Sequence, residues 1–209
     1  MSITRVLIGL IVMGLLLSIS ASSYSTPVYP TNIALGMTVT GSASYDISRF
    51  KYEYVVDGSI ADSRTPYNYW VLPNSTTGWV QINLGREYNL GKIEFLNTHN
   101  AWFNDRTTKD WSIEIFRSDF TKAFEFTGTE PDLNPANWTD PIPPKIIDLA
   151  MPVTGRYVKF SVNSYWGYSG GLNELRVYEA MPIPEPSTFF MLGAGLLGLI
   201  GYAYKRNKN

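Results

Sequence analysis

The stretch WVQINLG, Trp79 to Gly85, sets Trp79, Gln81 and Asn83 against Val80, Ile82 and Leu84 and ends at a glycine. A period of two is the mark of a strand with one face buried, and the glycine marks a turn. The same pattern recurs on both sides. GKIEFLN (Gly91 to Asn97) places Ile93 and Phe95 against Lys92 and Glu94. WSIEIF (Trp111 to Phe116), KIIDLA (Lys145 to Ala150), RYVKFSV (Arg156 to Val162) and ELRVYE (Glu174 to Glu179) follow, separated by Gly, Pro, Asn and Asp. No segment holds a long helical period. Short strands at this spacing predict an all-β sandwich or barrel. TGTEPDLNPANWTDPIPPK, Thr127 to Lys145, reads as a long Pro-rich loop, too polar for a buried strand.

The ends of the chain have a different character. Arg5 precedes an apolar stretch from Val6 to Ile19 and then small residues, Ser20 to Ser23. A positive start, an apolar core and a small-residue exit predict a signal peptide over residues 1–23, cut between Ser20 and Tyr24; a retained anchor is the alternative. At the other end, residues 188–204 carry no charge, and Lys205, Arg206 and Lys208 follow at once. About 20 apolar residues span a bilayer as a helix, and positive flanks stay in the cytoplasm. The segment is therefore expected to be a transmembrane helix, with a buried core helix as the alternative. The tail PEPSTFFMLGAGLLGLIGYAYKRNKN resembles the PEP-CTERM sorting signal: Pro184, Glu185 and Pro186, then a membrane segment, then a basic tail. That resemblance implies processing by an exosortase in a Gram-negative, exopolysaccharide-making bacterium. The precursor would sit in the inner membrane before release to the cell surface or extracellular matrix.

One domain is expected between the ends, residues 26–182, with the sorting signal at 183–209. Of 17 Lys and Arg and 18 Asp and Glu, Arg5, Lys205, Arg206, Lys208 and Glu185 lie in the end segments, leaving 13 against 17 and a net charge of −4. No basic stretch marks a nucleic-acid partner. There is no Cys, which excludes disulfides and thiolate metal sites. The Asn74 and Asn137 sequons carry no weight, since such short patterns arise by chance and the resemblance of the tail implies a bacterium.

Ordered segments across the domain resemble a known family. NIALGMTVTGSASY opens it, VVDGSIADSRTPYNYW and WVQINLG follow, then LNTHNAWFNDRTTKDWSIEIF, and GRYVKFSV with GGLNELRVYE closes it. Together they are similar to the discoidin domain, or coagulation factor 5/8 type C domain, a jelly-roll β-sandwich of the galactose-binding-domain-like superfamily. The resemblance covers Asn32 to Glu179 and implies binding of sugars, lipids or proteins through loops at one end of the sandwich.

Asp57 and Asp62 flank a tight glycine turn, and Glu174 opens the last strand. Calcium takes six to eight oxygens from carboxylates and carbonyls. Carried over by position, the resemblance implies a structural calcium held by the Tyr54 carbonyl, Asp57, the Ser59 carbonyl, Asp62 (or Thr65 if residues are inserted), the Asn173 carbonyl and Glu174. Otherwise Asp57 caps a turn and Glu174 pairs with an Arg.

Sugar sites combine an aromatic face with planar polar groups. THNAWFNDR offers His99, Asn100, Trp102, Phe103, Asn104 and Arg106; SYWGYSGG offers Trp166 and Tyr168 with Tyr165; RTPYNYW offers Tyr67, Tyr69 and Trp70. Aromatics beside Gly, Asn and Ser read as loop residues and candidate anchors. The candidate ligand set is His99, Asn100, Trp102, Arg106, Trp166 and Tyr168; galactose-binding relatives use residues of these types. Trp79 and Trp111 are expected in the core, and Arg106 has a structural alternative as a partner of Asp110.

A single His, no Cys and no nucleophile or metalloprotease motif argue against catalysis. The expected function is an exported carbohydrate-binding protein, acting in adhesion or with exopolysaccharide. A structural matrix protein without a sugar ligand and, less so, a glycan-acting enzyme are the rivals.

Overall fold

The computed structural model describes residues 31–133, 137, 139–180, 192–193, 195–200 and 204. Its strands are β1 (Thr38–Gly41), β2 (Trp70–Val71), β3 (Gly78–Leu96), β4 (Arg106–Thr108), β5 (Asp110–Phe116), β6 (Lys122–Thr129), β7 (Lys145–Val162), β8 (Tyr165–Gly167), β9 (Gly171–Leu172) and β10 (Glu174–Glu179).

Two pairs of predicted strands are each one long strand. WVQINLG and GKIEFLN are the halves of β3, and KIIDLA and RYVKFSV are the halves of β7. β3 and β7 run antiparallel from Gly78↔Val162 to Phe95↔Lys145, with register shifts between Asn83 and Tyr88 and between Leu90 and Lys92. Gly85, at φ +85°, sits in that interval, so the expected turn is a bend inside a continuing strand. Bulges of this kind let a strand pass from one layer of a sandwich to the other.

The pairing follows from the bend. The first half of β3 pairs with β1, and the second half of β7 with β5, which carries β6. The second half of β3 pairs with β10 and the first half of β7. A five-stranded layer thus faces a three-stranded one. Val80, Ile82, Ile113, Val158 and Phe160 from the first meet Ile93, Phe95, Ile147, Leu175 and Val177 from the second in one buried core. Phe95 packs edge-on to Trp111 at 4.8 Å and against Phe160 at 5.0 Å, and such ring pairs add about 0.5–1.5 kcal/mol beyond burial. The fold is the expected all-β sandwich.

Trp111 is fully buried, as expected. Trp79 is only half-buried: Val80 takes the inward position of the alternation, which turns Trp79 outward, where the Lys159 ammonium lies 5.7 Å from its ring. Tyr69 and Trp70 depart the other way. Their stretch reads as loop, yet both are fully buried, Trp70 donating to the Ala43 carbonyl at 2.8 Å and Tyr69 lying 5.5 Å from Phe50.

The chain enters and leaves the domain side by side, through an Asn32↔Tyr178 bridge and an Ile33 N–H bond to the Val177 carbonyl. Residues 192–193 and 195–200 are helical. Among the described residues no helix is long and apolar enough to cross a membrane. The segment predicted as signal peptide, residues 188–191, 194 and 201–203 of the predicted membrane helix, and Pro184, Glu185 and Pro186 lie outside the described residues.

Candidate functional site

The loop between β3 and β4 is closed by Asn97, whose side chain donates to the Thr108 carbonyl at 2.7 Å and accepts from the Thr108 N–H at 3.1 Å. Inside it, Ala101–Phe103 forms a 3-10 turn flanked by left-handed residues: Asn100, Ala101 and Asn104 have φ of 66°, 49° and 49°. Such conformations cost energy outside glycine and persist only where the surroundings enforce them. Here the enforcing group is Asp62. Its Oδ2 accepts from the Thr98 hydroxyl at 2.7 Å, the His99 N–H at 3.1 Å and the Ala101 N–H at 2.9 Å, and its Oδ1 from the Asn173 amide at 3.1 Å. Burial pushes the Asp62 carboxyl up, and the His99 charge and these donors pull against that.

The loop delivers Arg106 to the start of β4. It is 8% exposed. Nη1 donates to both Asp105 oxygens at 3.1 and 3.2 Å, and Nη2 donates to Asn74 Oδ1 at 2.6 Å. The guanidinium lies 4.7 Å from the Tyr45 ring, and its buried Nε has no hydrogen-bond partner. Asp105 is held in turn by the Asn100 amide at 2.6 Å, and Asn100 accepts from the Tyr69 hydroxyl at 3.0 Å. The Tyr69 hydroxyl is raised far above its ordinary pKa, by burial first and then by the Asp62 charge.

Tyr168 joins the cluster through its backbone, donating to the Asp105 carbonyl at 2.8 Å and accepting from the Ser75 N–H at 2.7 Å. Gly167 makes that approach possible: at φ +74°, a Cβ there would stand 2.3 Å from the Asp105 carbonyl oxygen. Tyr168 and Tyr45 are 61% and 53% exposed. The result is a fixed fork of donors and acceptors (Arg106, Asn74, Asp105) beside the exposed Tyr45 ring, with the exposed Tyr168 tied in through its backbone.

The predicted ligand residues divide. Arg106 and Tyr168 come together, with Asn100 beneath them as a buried support. Arg106 pairs with Asp105, whereas Asp110 is taken by Ser164 and Thr129. Trp102 is half-exposed, with the Arg64 guanidinium 3.8 Å from its ring. Trp166 stands across the β4–β8 ribbon opposite Thr107, on the face away from Arg106; it donates to the Glu130 carbonyl at 3.1 Å and carries Lys109 4.5 Å over its ring. His99 is 1% exposed and lines a cavity with Asp132 and Asp140. Sequence reasoning missed Asn74, Tyr45 and Asp105. Asn74 was visible only as a sequon, and Tyr45 lies 61 positions before Arg106.

The predicted metal ligands divide too. Glu174 is fully buried. Both its oxygens accept from the Gly58 N–H at 3.1 Å, and Arg176 Nε lies 3.7 Å away. Burial, with the Asp57 charge behind it, pushes its carboxyl up to about 8. A buried carboxylate so thinly matched suits a nearby cation. Asp57 shares this region, its Oδ1 accepting from the Ser59 N–H at 2.9 Å. Asp62 is committed to the 98–101 loop and to the Asn173 side-chain amide, whose own Oδ1 has no hydrogen-bond partner. Among the described residues no group of three or more His, Asp or Glu is placed to hold a metal.

Comparison with known proteins accords with this architecture. The family model for the F5/8 type C domain matches residues 38–175, and that for the PEP-CTERM protein-sorting motif matches residues 182–206. No curated protein matches the chain. Among solved structures, a Streptococcus pneumoniae fucose binding module is 23% identical, covering 72% of this chain and 99% of its own, with a TM-score of 0.57. The lectin domain of lectinolysin complexed with Lewis B antigen is 16% identical over 74% of this chain and 100% of its own, TM-score 0.59. The family 32 carbohydrate-binding module of C. perfringens NanJ in complex with galactose is 17% identical over 69% of this chain and 94% of its own, TM-score 0.53. At these identities the likeness is one of fold. With the family model covering most of the described sandwich, the chain belongs to the F5/8 type C domain family and carries a PEP-CTERM sorting motif.

Proposed function

We propose that this is an exported carbohydrate-binding protein, sorted by an exosortase and presented at the cell surface or in its extracellular matrix. The observation that carries the reading is Arg106, buried yet held by Asp105 and Asn74 under Tyr45, with one donor unpaired. A pyranose offers hydroxyls to the guanidinium, the amide and the carboxylate, and its C–H face to Tyr45 or Tyr168. Fixing these groups before binding lowers the ordering cost. The sugar ligands named for relatives of the same fold support the reading, and so does the sorting motif. The protein acts by binding and not by catalysis; exopolysaccharide of a Gram-negative host is the proposed partner.

Calcium is the proposed structural ion. Asp57 and Glu174 with the Tyr54 and Ser59 carbonyls hold it, and it neutralises the buried Glu174 charge when bound.

A glycan array read with the wild type and with Arg106→Ala tests the sugar site. Binding to hexose glycans that the variant loses supports it. An array without signal moves the protein to a structural matrix role.

A further inference from the structure

Asp132, Leu133 and Asp140–Pro143, in the connection between β6 and β7, line a cavity of about 210 Å³ with His99 in its wall. At about 30 Å³ per water, this is the space of roughly seven waters, suited to one small ring. His99 is 1% exposed, and neither ring nitrogen has a hydrogen-bond partner. Buried polar atoms are nearly always paired, so each exception calls for an explanation. The nearest acid is no remedy: Asp62 Oδ2 lies 3.8 Å from His99 Nε2, beyond hydrogen-bond reach, and already accepts three donors.

The rest of the lining defines what suits the imidazole. Asp132 and Asp140 bring two carboxylates, and Asp140 spends one oxygen on the Asn137 N–H. Leu133 and Ile142 supply apolar wall, with a proline on either side of Ile142. Among the described residues, no Lys or Arg lines the cavity. An imidazole nitrogen can bond a hydroxyl whichever form it takes, since a hydroxyl both donates and accepts. Two carboxylates without a countercharge attract an ammonium and repel an anion. The apolar wall accepts the C–H face of a ring.

We infer that this cavity is a second ligand site, distinct from the Arg106 cluster, for a saccharide unit bearing a free amine. His99 bonds a ring hydroxyl, Asp132 and Asp140 hold the ammonium, and Leu133 and Ile142 cover the ring. The site shares no residue with the Arg106 cluster. It ranks amino sugars above neutral sugars and excludes uronic acids.

Calorimetry on the full-length protein tests this with glucosamine, glucose and galacturonate. Glucosamine is expected to bind at least tenfold more tightly than glucose, and galacturonate not at all. The double variant Asp132→Asn, Asp140→Asn should lose that tenfold preference with an unchanged melting temperature, and His99→Gln should weaken both sugars. Arg106→Ala should leave glucosamine affinity within twofold while removing the glycans of the Arg106 site. Because His99 is buried, its variant can fail to fold; the rim carboxylates then decide. Equal affinity for glucosamine and glucose, no glucosamine binding, an indifferent double variant, or loss of glucosamine binding in Arg106→Ala would each overturn the inference.

Discussion

Arg106 donates to Asn74 at 2.6 Å, tying the start of β4 to the connection between β2 and β3, 32 residues earlier. The bond gives the guanidinium one orientation. Arg106→Ala is expected to abolish hexose binding and to strand Asp105 and Asn74. The stability loss should be about 1–3 kcal/mol, the usual cost of a hydrogen-bonding group left without its partner. Asn74→Ala frees the guanidinium without removing it and should weaken binding less. Thermal melts and glycan titration on both variants separate the two effects.

Asp62 organises the loop behind that site. Asp62→Ala strands the Thr98 hydroxyl and two backbone N–H groups, each worth about 1–3 kcal/mol when buried and unpaired. A loss of at least about 3 kcal/mol is expected in chemical denaturation. Asp62→Asn keeps an acceptor and should lose less.

The proposed calcium is a matter of mass action. An ion present at 100 times its Kd stabilises the native state by about 2.7 kcal/mol, roughly 5–10 °C in melting temperature for a domain of this size. Chelator should remove that increment from the wild type. Glu174→Gln should melt at the same temperature with and without calcium. A wild-type melt indifferent to calcium would exclude the ion.

Glu114 gives a pH signature. Burial raises its carboxyl, but the Lys159 and Lys122 ammonium groups at 3.0 and 3.1 Å outweigh that and hold it below the usual range. A depressed carboxyl stabilises the fold above its unfolded pKa, and the contribution is lost as pH falls through the folded value. Glu114→Gln should therefore cost about 0–1 kcal/mol near neutral pH, the scale of partly exposed ion pairs. The gap between variant and wild type should close below about pH 4. A gap constant from pH 7 to pH 3 would assign the loss to packing.

Sorting is tested by Glu185→Ala, which should leave unprocessed precursor in the inner membrane fraction. Normal release of that variant would remove the exosortase from the proposal.

The strands were legible where the alternation was strict. WSIEIF and ELRVYE occupy β5 and β10 almost to the residue. That β3 and β7 each continue through their bends was not, because Gly85 and the 150–155 stretch read locally as breaks. Only the long-range pairing of Leu90 with Val153 and Tyr88 with Gly155 carries the strands across. Tyr69 and Trp70 looked like loop anchors for a related reason: their burial comes from Phe50 and Ala43, some 20 to 30 positions away. Arg106 and Tyr168 could be picked by residue type. Tyr45, Asn74 and Asp105 could not, since nothing local sets them apart until the fold gathers them.

β10 runs from Glu174, beside Leu96 and the binding loop, to Glu179, beside Leu90, where Asn32 and Tyr178 meet. At about 3.3 Å per residue, that sets the chain's exit some 17 Å along the strand from the loops that carry Arg106. If the protein is anchored through its C-terminal sorting motif, as proposed, that offset would keep the Arg106 loops clear of the attachment point.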